Sequence, residues 1–182
     1  MASMIDCAGA KKKLRQASFF LEWLRNASDE RQRGFTDPEH LQFYFSACLS
    51  AAQSAYYVLD ETGGATFKRT QKAWRARLPS SQRSNFGHMI GLRDNDVHLA
   101  RTDAQLLPRY VIERPAPMGF VVGGDTAIEM ENPDGTKVRG PVLVGTLGLY
   151  IEQHGQRVDA ITACGEFIAL LESLVVEAAG PS

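Results

Sequence analysis

The chain has 182 residues, of which 44% are hydrophobic and 23% are charged, a composition that is ordinary for a soluble globular protein of one domain. Its formal net charge of −1 excludes a strong overall attraction to nucleic acid, so any nucleic-acid site must depend on local charge. Three scattered cysteines exclude a disulfide framework and metal-ligand spacing, and because neither a signal-peptide pattern nor a membrane-length apolar run is present, we expect a cytoplasmic protein.

Helical spacing of apolar residues predicts two helices in the first third of the chain. The first covers residues 10–27, and its second apolar strip, Phe19 and Trp23, predicts that it packs on two sides. The basic cluster at 11–15 opposes the helix dipole, and either a phosphate contact or a solvated face explains it. An aspartate followed by proline predicts the second helix, at about 38–59. The expected core lines are Leu14, Ala17, Leu21 and Leu24, and then Leu41, Phe45, Cys48, Ala52, Tyr56 and Leu59.

A turn at residues 61–64, which contains two glycines, separates the second helix from a third at about 66–78. The third helix is amphipathic, and no acidic residue occurs between residues 66 and 83. This local excess of positive charge suits contacts with an RNA backbone, and a solvated helix face is the alternative. The candidate RNA-binding residues are Lys68, Lys72 and Arg75.

A fourth helix, predicted from about residue 81 to 102, carries an arginine and a histidine in the spacing Arg-x4-His. Histidine titrates near neutral pH, so His98 suits the removal of a proton from a ribose 2′-OH. Arg93 presents a planar fork of donors that matches phosphate oxygens. Asp94 can orient the imidazole, and Asn95 can donate to the phosphate. The alternative is an ordinary salt-bridged helix end with a surface histidine.

The arginine and the histidine of this spacing do not share a helix face. Asp94 and His98 lie on one stripe with Gly87 and Gly91, whereas Arg93 projects roughly 120–140° away at about 100° per residue. Arg93 and His98 therefore converge only if the helix ends or kinks before His98, or if a second copy of the chain supplies the partner residue. Two glycines one turn apart leave a bare surface that another helix can approach closely.

The pattern changes in the second half of the chain. Three prolines predict an extended connection over residues 106–117, followed by a short strand at 120–122 and a hairpin closed by a tight turn at 132–135. A one-residue bulge at the glycine of that turn matches charge and apolar character across the strands, pairing Glu131 with Lys137, Met130 with Val138 and Glu129 with Arg139. Another strand or strand pair is expected at 142–151, and Asp159 opens a last helix that runs to about residue 178.

The order of these elements, together with Arg93, the polar Asp94 after it and His98, resembles the HEPN superfamily, the small helical-bundle domains of many bacterial toxin and defence ribonucleases. The resemblance implies a mainly α fold, a HEPN-like bundle of about five helices with a small antiparallel β hairpin or sheet inserted before the last helix. The chain is then expected to form a single domain over residues 1–182. Its helical core covers about 10–104 and 157–178, and its β elaboration covers about 118–153.

The resemblance also implies a function. Catalytic members of the family are metal-independent endoribonucleases without a cofactor, act as dimers, and cleave RNA by 2′-OH attack to leave a 2′,3′-cyclic phosphate. The chain is then expected to bind RNA at a composite site in a homodimer, to act as a toxin or defence effector with an antitoxin or defence-system protein as partner, and not to associate with membranes. The alternative is a catalytically inactive HEPN-like module that binds a partner protein or a nucleotide. A third possibility is a structural role, in which the charges near Arg93 close the bundle.

Overall fold

The computed structural model describes residues 5–28, 38–99, 104–112, 128–131, 137–140, 143–153 and 155–180, and it describes side chains at 5–28, 39–92, 149–153 and 155–180. The chain forms two compact units. One comprises Met1–Leu106 with Leu149–Ser182, and the other comprises Leu107–Gly148. The first unit contains the described helices and therefore the candidate site.

Helices dominate the described residues. The four helices are α1 (Cys7–Ser28), α2 (Pro38–Arg77), α3 (Ser80–Leu99) and α4 (Ala160–Ala179). The five strands are β1 (Ala104–Ile112), β2 (Ile128–Glu131), β3 (Lys137–Gly140), β4 (Leu143–Gln153) and β5 (Gln156–Asp159). The expected mainly helical fold, with a small antiparallel two-stranded sheet before the last helix, is confirmed.

The described residues contain four helices rather than about five, because the two expected middle helices form one element, α2. Within it only Gly64 has a non-helical backbone, with φ of 50° and ψ of −130°, so most of the expected turn is helical. The chain nevertheless reverses there, since Gln71 Nε2 donates a hydrogen bond to the Tyr56 hydroxyl at 2.9 Å. Gln71 and Tyr56 are fifteen residues apart, and a straight helix would separate them by about 22 Å, too far for this hydrogen bond. We call residues 38–63 the first arm of α2 and residues 65–77 its second arm.

Two adjacent glycines make this reversal possible, for different reasons. A Cβ on Gly63 would lie 2.5 Å from Phe67 Cβ and 2.9 Å from Ile5 Cγ1. Only a glycine therefore permits this close approach. No described atom lies within 4 Å of the Cβ position of Gly64, but its positive φ is a conformation that residues with a Cβ rarely adopt.

The buried faces of α1 and α2 are the ones that apolar spacing predicts, and α4 buries an apolar face as well. All of the expected core residues of α1 and α2 are buried except Tyr56, which is half-buried. Each fully buried large apolar side chain contributes roughly 1.5–3 kcal/mol relative to exposure, so these faces hold the three helices together. The second apolar strip of α1 is different, because Phe19 and Trp23 are exposed. This strip therefore stays about half exposed, while α1 contacts both α2 and α4.

An aromatic cluster holds α3 against the bundle. The Phe86 ring is buried, and its centroid lies 5.1 Å from that of Trp74 in the second arm. It lies 6.0 Å from the Tyr56 ring in the first arm and 5.7 Å from the Phe167 ring in α4. Trp74 Nε1 also donates to Ser173 Oγ of α4 at 3.1 Å. One ring of α3 thus contacts both arms of α2 and α4, and such ring pairs add to the stabilisation from burial.

Strands β2 and β3 form the expected hairpin. The expected register is confirmed, with Glu131 opposite Lys137, Met130 opposite Val138 and Glu129 opposite Arg139. The expected strand at 120–122 and the tight turn at 132–135 lie outside the described residues. Local matching of charge and apolar character therefore fixed this register correctly.

The other sheet has the strand order β1-β4-β5. The first half of the expected connection at 106–117 is strand rather than coil, and Pro108 lies within β1. Among the described strands β1 lies at an edge of this sheet, the position in which proline is tolerated. Strand β5 was not predicted, and it leads directly into α4. Asp159 caps α4 as expected, since its Oδ1 accepts from the Thr162 backbone N–H at 2.9 Å.

We expect Gly64→Ala to lower the free energy of unfolding by about 1–3 kcal/mol, because alanine must adopt a positive φ there. Gly165→Ala in α4 is the matched control, since its added Cβ would lie 3.6 Å from Arg25 Nη2, and alanine is favoured over glycine within a helix. Urea denaturation followed by circular dichroism compares the two variants. Equal stability of both variants would contradict the backbone described at Gly64.

Candidate functional site

The four candidate catalytic residues lie in the last two turns of α3: Arg93, Asp94, Asn95 and His98. The backbone is helical from Ser80 to Leu99, while side chains after Leu92 lie outside the described part of the structure. Since the described helix continues to Leu99, a helix end before His98 does not bring Arg93 and His98 together. Positions 93 and 98 stay roughly 140° apart around the helix axis. The expected end of this helix, near residue 102, falls on residues that the structure does not describe.

Gln53 of the first arm binds α3 at the turn that precedes these residues. Its side chain is 0% exposed, and Nε2 donates to Met89 O at 2.6 Å and to Ile90 O at 3.1 Å. In an α-helix the same carbonyls accept from backbone N–H groups four residues later, at positions 93 and 94. Gln53 therefore holds the turn of α3 from which Arg93 continues. Two carbonyl acceptors require that the amide nitrogen, not the oxygen, faces α3.

Sequence reasoning did not single out Gln53, although the chain contains a signal for it. Position 53 follows the expected core residue Ala52 and lies one turn after Leu49, and both neighbours are buried. A glutamine at such a position is a buried amide that needs hydrogen-bond partners. Within the described residues its Oε1 has none, so the contacts of Gln53 are made by the nitrogen.

We expect Gln53→Met to lower the free energy of unfolding by roughly 1–3 kcal/mol, because it keeps the side-chain size but removes two hydrogen bonds worth about 0.5–1.5 kcal/mol each. Gln53→Glu places a buried carboxylate against two carbonyl oxygens. At neutral pH this variant should therefore lose more free energy of unfolding than Gln53→Met. Burial raises the pKa of such a carboxyl above its unfolded value, and the stability of this variant therefore falls as pH rises. Denaturant titrations at acidic and neutral pH measure both effects. A glutamate variant as stable as the parent at neutral pH would show that the Gln53 amide is not a donor to α3.

The three candidate RNA-binding residues differ in their surroundings. Lys68 and Lys72 are exposed on the second arm. Arg75 is half-buried, and its Nη2 lies 3.5 Å from Arg83 O and 3.0 Å from the position that a Cβ on Gly87 would take. Arg75 thus also connects the second arm to α3. Its contact at Gly87 lies about 9 Å from position 93 along the axis of α3.

The glycine stripe of α3 is only half open in the single chain. Gly87 lies under the Arg75 guanidinium, whereas a Cβ on Gly91 would meet no atom of the described residues within 4 Å. Gly91 is also the nearer of the two glycines to Arg93. The bare surface that the two glycines predict is therefore limited to the turn beside the candidate catalytic residues.

The basic start of α1 lies beside negative charge. Lys11 and Arg15 line a groove of about 260 Å³ together with Glu172 of α4. The last turn of α4 contains no basic residue, and the C-terminal end of a helix carries the negative end of its dipole. These neighbours offset the unfavourable cationic start of α1.

Two of the described cysteines, Cys7 and Cys164, have raised pKa values. A hydrogen bond with the Cys48 thiol, together with burial, raises the pKa of Cys164 well above its ordinary value. Burial also raises the pKa of Cys7. Raised pKa values keep thiols protonated, and the thiolate is the reactive form. Cys48, an expected core residue, and Cys164 are both buried.

No protein-family model, curated protein sequence or solved structure matches this chain. The resemblance to the HEPN superfamily therefore stays a prediction that depends on Arg93, His98 and the order of the helices. Among the residues with described positions, no three His, Cys, Asp or Glu side chains form a group able to hold a metal ion. Of the helices described, none has the length and apolar character needed to cross a membrane.

Proposed function

We propose that the chain is a metal-independent endoribonuclease of the HEPN type that works as a homodimer. The observation that supports this most is the continuous backbone of α3 through Arg93 and His98, held by Gln53 at the preceding turn. A helix that carries both residues about 140° apart presents one residue on each of two faces. Two copies of α3 can then complete one site, with Arg93 from one chain and His98 from the other.

In the proposed reaction His98 takes the proton of a ribose 2′-OH, and the 2′-oxygen attacks the adjacent phosphorus. The bond between phosphorus and the 5′-oxygen breaks, the 5′-oxygen takes a proton from solvent, and the products are a 2′,3′-cyclic phosphate and a 5′-OH. Arg93 stabilises the negative charge that develops on the phosphate. Asp94 orients the imidazole, and Asn95 donates to a phosphate oxygen.

The RNA backbone is proposed to reach this site along the second arm of α2. Lys68 and Lys72 are exposed there, and this arm carries positive charge without an acidic residue. Such contacts contribute affinity without reading sequence. We further propose that the enzyme is a cytoplasmic toxin or defence effector whose activity an antitoxin or another defence-system protein controls.

The purified chain is expected to cleave a mixed RNA pool in the presence of EDTA and to leave cyclic phosphate ends. His98→Ala should reduce cleavage by about 100- to 10,000-fold through loss of the base, and Arg93→Ala by about 100- to 1,000-fold through loss of charge stabilisation. Circular dichroism checks that both variants fold. Cleavage that EDTA abolishes, or that His98→Ala retains, would contradict the proposal. A folded parent that cleaves nothing would favour the inactive binding module.

Lys68→Ala and Lys72→Ala should each weaken RNA binding without changing its sequence preference, and should reduce the slope of log affinity against log salt by about 0.7 for a single strand. Arg77→Ala is the matched control, because Arg77 has the same charge on the same helix, lies about 180° from Lys68 and 140° from Lys72 around the axis, and pairs with Glu177 of α4. Fluorescence anisotropy at several salt concentrations measures the slopes. An equal effect of all three substitutions would mean that the general charge of the chain, and not this face, binds RNA.

A further inference from the structure

An exposed row of rings crosses α1 and the first arm of α2. The Phe19 and Trp23 centroids lie 6.1 Å apart, and Trp23 stacks on Tyr44 at 5.8 Å with 29° between the ring planes. Tyr44 in turn lies 6.3 Å from His40. Phe19 is 54% exposed and Trp23 is 46% exposed. We call these four residues the aromatic platform.

The exposed apolar side chains of the described residues concentrate here. Phe43, which lies one turn after His40, is 62% exposed. The remaining large hydrophobic side chain with high exposure in the described ranges is Val176, on α4. Contiguous exposed apolar side chains mark binding surfaces more often than isolated ones do. The exposed large side chains at the platform are all aromatic, which suits the stacking of flat groups more than the docking of an apolar helix.

The charge beside the platform is positive. α1 carries five basic residues and one acidic residue, Glu22, hence a net charge of +4, in a chain whose net charge is −1. Lys12 and Arg15 are exposed, and with Phe19 they lie within about 60° of one another around the helix axis. A chain stacked on Phe19 therefore meets cations about 6 Å and 10 Å away along α1. This charge is complementary to a polyanion.

We propose that the aromatic platform, together with Lys12 and Arg15, binds single-stranded RNA. Unpaired bases stack on Phe19 and Trp23, and the two cations neutralise neighbouring phosphates. Every base has a π-face, so such a surface tolerates many sequences. The choice of RNA over other single strands rests on the proposed function, while the platform contains none of the candidate catalytic residues.

Trp23 provides a direct test. The chain has two tryptophans, and Trp74 is buried, so an oligonucleotide on the platform quenches mainly Trp23. The full chain with His98→Ala, which prevents cleavage, is titrated with a single-stranded oligouridylate. Adding Trp23→Ala should weaken binding by roughly 5- to 150-fold, and Trp23→Phe should weaken it much less because a ring remains. Trp23→Phe is therefore the matched control, since it keeps an aromatic ring at the same position.

The outcomes separate this proposal from the proposed enzymatic activity. Tryptophan quenching together with weaker binding by Trp23→Ala supports the role of the platform in RNA binding, even if the parent cleaves no RNA. The absence of cleavage would count only against the proposed ribonuclease activity. Absence of quenching with unchanged affinity in Trp23→Ala overturns the platform even if the parent is an active ribonuclease. Sedimentation adds a further outcome: a dimer that Trp23→Ala dissociates, with RNA affinity unchanged, would assign the platform to a second copy of the chain and overturn its role in RNA binding.

Discussion

Two hydrogen bonds from one buried amide hold the helix on which the candidate site depends. Gln53 binds the Met89 and Ile90 carbonyls, and the Phe86 ring packs one turn earlier on the same helix. A helix that is fixed both by a ring and by a directional amide resists rotation about its axis and sliding along it. The same contacts fix the backbone positions of Arg93 and His98, because these residues follow in the same continuous helix.

The reversal at Gly64 makes this arrangement possible. It returns the second arm of α2 to the first arm, where Gln71 binds the Tyr56 hydroxyl, and it brings Trp74 to Phe86. The same reversal brings the basic second arm beside α3, since the Arg75 guanidinium lies over Gly87. A single glycine with positive φ thus determines both the aromatic contact that positions α3 and the positive charge next to it.

Local rules predicted a large part of this fold. The core faces of α1 and α2, the Asp159 cap and the β2–β3 register depend on spacing, on one capping side chain and on pairing across a short hairpin, and each was confirmed. Periodicity shows which residues form an apolar strip but not whether another element covers it. For this reason the exposure of Phe19 and Trp23 was not predicted.

The candidate site was likewise predicted in part by local sequence, while the rest depends on tertiary packing. That Arg93 and His98 lie on one helix follows from local sequence, and the backbone of α3 has this form. The role of Gln53 depends on a contact across 36 residues, and the contact of Arg75 with α3 depends on the reversal at Gly64. Neither follows from spacing, because both need the tertiary packing of α2 and α3.

The most direct test of this account asks whether Arg93 and His98 act across two chains. Arg93→Ala and His98→Ala chains, inactive when separate, are mixed and allowed to exchange partners. By random pairing about half of the dimers contain one chain of each kind, and each of these retains one intact composite site of two. A site shared between two chains should restore about a quarter of the parent activity. No recovery from a mixture shown to contain the mixed dimer would contradict it, because the two residues would not then share a site between chains.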